Sequence, residues 1–267
     1  MIPFISCANK DRLEFMRSRL NIICLLVLLG CGAMVLLSTA YMPLLLNKAM
    51  EVTDVMSADM SVSSFMEKFF PGDVKGSLGI FSSDIGIFYS LTVILLTYSL
   101  LPNDISTGRL ILPLCAGYKK NTIFLSKQLV YSVLCAFPVF PAYLLYYYVG
   151  IGFLEINYSF QAVLLNALLW AVVIFSIVNL TIALSVLYRH KYSSLVTMAL
   201  VIIVAPDLLS FFKFGAYFPT YLLTFLYRSE ERMDMLVIPM ITLALILALV
   251  NTVALKKQFS VEIDERR

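Results

Sequence analysis

The chain has 267 residues, of which 60% are hydrophobic and only 14% charged, with a mean hydropathy of +0.88 and a formal net charge of +3. Those values exclude a soluble globular domain and place the chain among membrane proteins. No basic stripe with interleaved aromatics occurs, so nucleic acid is not expected as a partner.

The first element in chain order is an interfacial helix over residues 9–20. Asn9 can cap it, Leu13, Met16 and Leu20 share one face, and Lys10, Glu14 and Ser18 occupy the other. Such a helix lies flat on the inner membrane surface. Phe15 falls off the apolar stripe, which requires either a tilted helix or another contact for its ring.

Six apolar runs follow. A hydrocarbon core of roughly 30 Å needs about 20 apolar residues per helical span, and the runs at 21–45, 85–101, 129–151, 162–187, 195–212 and 236–255 meet or approach that length. They are continuous rather than alternating in period two, so helices are expected and not a barrel. The fold class is therefore all-α integral membrane, with residues 1–267 forming one transmembrane domain. The first run is too long for a signal-peptide core and should remain as a span.

Between the first two runs, Val62, Phe65, Met66 and Phe69 follow helical spacing until Pro71-Gly72, which suggests an external amphipathic cap. Between the last two, residues 215–235 are apolar but too interrupted to span, and read as an external re-entrant hairpin. With both termini inside, 14 of the 20 Lys and Arg residues fall on the inner side. The positive-inside rule thus puts both termini in the cytoplasm. The five cysteines sit in spans or internal segments, so no disulfide framework or metal site is implied.

The most distinctive stretch is the internal segment from Pro102 to Lys127. Asn103 or Asp104 can cap a helix, Gly108 and Arg109 lead into Leu110, Ile111, Leu112 and Leu114, and the chain turns after Pro113 and Gly117. Lys119 and Lys120 then meet the inner headgroups, and Asn121 or Thr122 starts the third span. A short helix with an apolar surface outside the spans wants a protein partner or a membrane surface to cover it.

This pattern resembles the membrane-spanning permease subunits of bacterial type 2 ATP-binding-cassette (ABC) exporters. Their internal loop reads acidic-x-x-x-Gly-Thr/Arg, a leucine-rich stretch, a small-residue and basic turn, then Lys. The matching positions here are Asp104, Gly108, Arg109, Leu110, Leu112, Leu114, Gly117, Lys119, Lys120 and Lys127. The family commonly has Glu at the acidic position and Pro before the turn, where this chain has Asp104 and Ala116-Gly117.

The resemblance implies that this loop is a coupling helix docking on an ATPase, with Asp104, Gly108, Arg109, Leu110, Leu112, Leu114, Lys119 and Lys120 taking part. It further implies two ABC ATPase subunits and a second permease copy or homologue as partners, alongside membrane lipids in the bacterial cytoplasmic membrane. The export of an amphiphilic or antimicrobial peptide or a drug is the substrate reading it suggests. No G-x-x-x-x-G-K-[ST] sequence occurs, so ATP and Mg²⁺ are expected on the partner and neither catalysis nor a cofactor on this chain.

Tyr89 and Tyr98 in the second span and Phe137, Phe140 and Tyr143 around Pro138 and Pro141 in the third are candidates to line a substrate path. Interfacial belt and simple packing are the competing roles. Asp207 is a functional candidate if it lies inside the membrane, and a capping residue if the helix breaks at Pro206. Two other classes compete with an exporter permease: an ion- or proton-coupled secondary transporter, which would need buried charges in several spans, and a membrane assembly protein without transport activity.

Overall fold

The computed structural model describes residues 2–53, 74–152, 154, 158–188, 191–204, 219, 221–222 and 236–258. Among these the regular structure is entirely helical. Helix α1 is Ile2–Arg17 and α2 is Leu20–Thr53, with a bend of 55° between their axes. Helix α3 runs over Val74–Ser106, the short α4 over Ile111–Cys115, and α5 over Lys120–Ile151. Helix α6 is Phe160–Leu187, α7 is Lys191–Ile203 and α8 is Val237–Gln258.

Four of these helices (α3, α5, α6 and α8) are long and apolar enough to cross a membrane, and the bent α1–α2 pair makes a fifth if it counts as one broken span. The chain is thus a membrane-embedded helical protein. Several boundaries differ from the sequence expectation, and the first span continues to Thr53 rather than ending at residue 45. The N-terminal helix begins at Ile2, so Asn9 lies in its interior and does not cap it. The second span starts at Val74 rather than residue 85, which puts Lys75 and Asp84 on the helix rather than in the preceding loop. The third starts at Lys120 rather than residue 129. In each case helical hydrogen bonding continues through polar residues that a hydropathy window discards. The expected external helix around residues 62–69, Asp207 and most of the hairpin at 215–235 lie outside the described residues.

Helix α6 is the axis of the bundle and packs against α3, α5, α7 and α8. It begins where the Ser159 hydroxyl accepts from the Ala162 amide at 3.4 Å, a side-chain N-cap. Its Trp170 stands at the centre of an aromatic cluster, with the Phe81 ring centroid at 5.5 Å and that of Tyr143 at 5.9 Å, both edge-on. Tyr146 tilts against Phe81 at 4.2 Å and its hydroxyl meets that of Ser77 at 2.7 Å. Close approach at this level needs small residues. A side chain at Gly86 would begin 3.4 Å from the Trp170 ring, and one at Gly32 of α2 would begin 3.1 Å from Phe81.

Two spans depart from regular α-helix at this cluster. Helix α3 makes a π-helical turn at Phe81–Ile85, and α5 is interrupted at Phe137 and Pro138, between Ala136 and Val139. Proline has no N–H to donate, and in lipid a carbonyl left over has no water to accept from. Pro138 withholds the i→i−4 bond from Leu134, and next to it Tyr89 of α3 reaches the α5 backbone: its hydroxyl donates to the Cys135 carbonyl at 2.6 Å. This bond ties the two irregular spans to one another.

Candidate functional site

The segment joining α3 to α5 is shaped by two glycines with left-handed backbones, Gly108 at φ 69° and Gly117 at φ 86°. Each closes a Schellman motif. At the first, the Arg109 amide donates to the Asp104 carbonyl at 3.0 Å and the Gly108 amide to that of Ile105 at 3.2 Å. At the second, Tyr118 donates to Pro113 at 3.1 Å and Gly117 to Leu114 at 3.0 Å. The two motifs set off α4 as a separate short helix. Lys119 is extended and serves as the N-terminal boundary of α5.

The outward side of this segment mixes apolar side chains with polar ones, among them the exposed Asn103, Ser106 and Thr107. Ile105 and Ile111 are both more than half exposed, at 56% and 61%, Arg109 and Lys119 are exposed, and Leu110, Leu114 and Lys120 are half-buried. Leu112 lies on α4. Ile105 and Ile111 therefore stand as two uncovered apolar side chains on either side of the polar turn at Ser106 to Arg109.

Asp104 takes a position that the sequence did not reveal. It lies inside the final turn of α3 rather than at a helix N-terminus, and its carboxylate is buried against the Lys127 ammonium of α5. Arg109 lies 3.9 Å from the same carboxylate and 3.4 Å from Glu14 of α1. Asp104 is thus turned into the protein and holds the segment from beneath.

Helix α1 completes the arrangement. Cys7, Asp11 and Phe15, at i, i+4 and i+8, form its buried face. Ser126 of α5 donates to Asp11 at 2.6 Å, and Phe15 packs edge-on against Tyr131 of α5 with centroids 5.4 Å apart. The Phe15 ring does have another contact, as its place off the apolar stripe required. Burial pushes the Asp11 carboxyl above its usual range, while the Ser126 hydroxyl and then Lys127 pull it back. Tyr118 reaches Ser6 at 3.4 Å, so the far end of the segment also touches α1.

The five aromatic residues considered for a substrate path are not brought together on one surface. Tyr89 and Tyr143 are fully buried in the core, Phe140 packs against it, and Phe137 faces outward, 72% exposed. Tyr98 pairs with Tyr192 of α7 at 5.9 Å.

A second polar constellation escaped the sequence reading. Gln128 of α5 donates through Nε2 to Oδ1 of Asn251 on α8 at 2.7 Å and to the Asn179 backbone carbonyl of α6 at 3.0 Å. The same Nε2 contacts Asn179 Oδ1, which also accepts from Asn251 Nδ2 at 3.0 Å. Three carboxamides from three helices thus close on one another inside the apolar bundle. Part of the signal was present: an amide in an apolar run seeks a partner on another helix, and Asn179 and Asn251 lie inside such runs, while Gln128 stands one residue before the run at 129–151.

No family model, characterised protein or solved structure matches this chain.

Proposed function

We propose that this chain is the permease subunit of an ATP-driven exporter in a bacterial cytoplasmic membrane. In this reading it has six spans, both termini are cytoplasmic, and the ATPase is a separate polypeptide present in two copies. A second permease, identical or homologous, completes the pathway.

The observation that supports it most is the segment between α3 and α5. Two Schellman turns fix a short helix whose Ile111 is exposed, while Asp104 and Arg109 tie its base to α5 and α1. A docking element needs this combination: an uncovered apolar surface for a partner, and stiff connections that turn a push on that surface into movement of the spans. Closure of the ATPase would act on Gly108 to Leu114 and shift α3, α5 and α1 as a unit, a rigid-body change of packed helices. Proline and π-turn irregularities in α5 and α3 are sites where such helices can bend. An amphiphilic or antimicrobial peptide or a drug is the proposed substrate class, on the sequence resemblance alone.

Membranes solubilised gently from the native host test this reading directly. The chain should retain a soluble ATPase, and complexes carrying Gly108 variants should either hydrolyse ATP without transport or lose the ATPase.

An ion- or proton-coupled secondary transporter is the second reading. The buried Lys127–Asp104 pair and the carboxamide cluster favour it, because buried polar groups among spans mark ion pathways. Their lying where α3, α5, α6 and α8 join gives them a structural role as well. Transport driven by an ion gradient in vesicles holding this chain alone, without ATP, would select this reading.

A further inference from the structure

Helix α1 has a mixed-charge sequence, NKDRLEFMR, yet folding sorts its charges by side. Both acids are engaged toward the protein: Asp11 is buried and accepts from Ser126, and Glu14 pairs with Arg109. The bases Lys10, Arg12 and Arg17 are all exposed, as is Arg19 just beyond the helix. Opposite the buried face of Cys7, Asp11 and Phe15 stand Ile5, Asn9, Arg12, Leu13 and Met16, every one exposed. The outward side therefore carries the apolar Ile5, Leu13 and Met16 around Asn9, is bordered by cations and is free of carboxylates.

One border is extended by a second element. Ser6, Lys10 and Arg17 share an edge of α1 by helical spacing, and Tyr118, whose hydroxyl meets Ser6, is followed in the chain by the exposed Lys119. The helix also ends three residues before α2 begins and meets it at a bend of 55°, so it stays beside the start of the first expected span. Apolar side chains at that level sit among acyl chains while Lys and Arg stems reach to the headgroups.

We infer that the outward side of α1 together with Lys119 is a binding surface for the headgroups of anionic phospholipids, selecting them over zwitterionic ones. The occupant is a lipid of the bilayer rather than a free anion, because the cations flank apolar side chains that an acyl chain would cover and a free anion would leave exposed. This inference stands apart from the proposed export function, since it uses no ATPase and no substrate.

The full chain in nanodiscs containing equal amounts of phosphatidylglycerol and phosphatidylcholine, released into native mass spectrometry, provides the test. The wild-type chain should retain phosphatidylglycerol preferentially, and each cation removed from Lys10, Arg17 and Lys119 by substitution with Gln should cut that preference about fivefold. The charge-conserving variant Lys10→Arg/Arg17→Lys/Lys119→Arg should keep it, which separates loss of charge from loss of fold. A control, Lys256→Gln at the exposed end of α8, should leave it unchanged. An unaltered preference in the triple Gln variant, or an equal loss in the Lys256 control, overturns the inference. Displacement of the lipid by millimolar inorganic phosphate also overturns it, because the surface would then be a site for soluble anions.

Discussion

The Lys127 ammonium of α5 donates to the Asp104 carboxylate of α3 inside the protein, with the two side chains 3% and 9% exposed. This pair fixes the base of the α3–α5 segment. Removing one partner of a buried ion pair leaves an uncompensated charge and costs about 3–5 kcal/mol, while removing both can be nearly neutral. Asp104→Asn and Lys127→Met should each lower thermal stability strongly in detergent, and the double variant should recover most of the loss. Additive losses in the double variant would show that the two residues act independently.

Phe15 should act as the anchor of α1. Its ring is buried and meets Tyr131 edge-on, and truncating a buried Phe costs about 3–5 kcal/mol. In Phe15→Ala that loss should be local: amide hydrogens of α1 should exchange fast while those of α6 stay protected. Uniformly faster exchange through α6 would mean that α1 is part of the global folding unit instead.

Asp11 makes the docking of α1 depend on pH, and the sign follows from its raised pKa. A carboxyl held above its unfolded value of 3.8 binds its proton more tightly in the folded state. Its stabilising contribution is therefore full below that value and is lost as pH rises through the folded pKa. Protection of α1 against hydrogen exchange, corrected for intrinsic rates, should increase as pH falls from neutral toward 4, and Asp11→Asn should flatten this response. A steeper response in Asp11→Asn would contradict the assignment.

The carboxamide cluster of Gln128, Asn179 and Asn251 should contribute modestly to holding α8. Interhelical hydrogen bonds in membranes average about 0.6 kcal/mol and reach roughly 1.7. Asn179→Leu removes the shared acceptor and should destabilise by no more than about twice the upper value, with the loss seen as faster exchange in α8. No change in α8 would mean that its packing on α6 suffices alone.

The class of the fold was legible because continuous apolar runs in a chain of this composition leave no alternative to helices. The ends of the helices were less legible. Lys75, Asp84 and Lys127 are helical because a helix satisfies its own backbone whatever its side chains, so a hydropathy boundary and a hydrogen-bond boundary need not coincide. In the candidate site, Gly117 was visible as a turn position, while Gly108 was read only as leading into the leucine-rich stretch; both have left-handed backbones. The inward pairing of Asp104 was not visible, because a charge beside a loop looks solvated until its partner is brought up by folding. The same holds for Asp11 and Glu14, whose partners lie more than ninety residues away in Ser126 and Arg109.

Gly108 gives the most direct test of the central claim that this segment couples the spans to an ATPase. At φ 69° any other residue is strained by about 1–2 kcal/mol, and a Cβ there would stand 3.2 Å from the Cδ1 of Ile111. Gly108→Ala should therefore displace α4 while leaving the buried pair and the bundle intact. The measurement is ATP hydrolysis by the complex purified from native membranes, compared with transport in the same preparation. The account predicts that an ATPase is recovered with wild-type chain and that Gly108→Ala separates hydrolysis from transport or releases the ATPase. Recovery of the chain alone, without hydrolysis, or an unaffected complex in the variant, would contradict it.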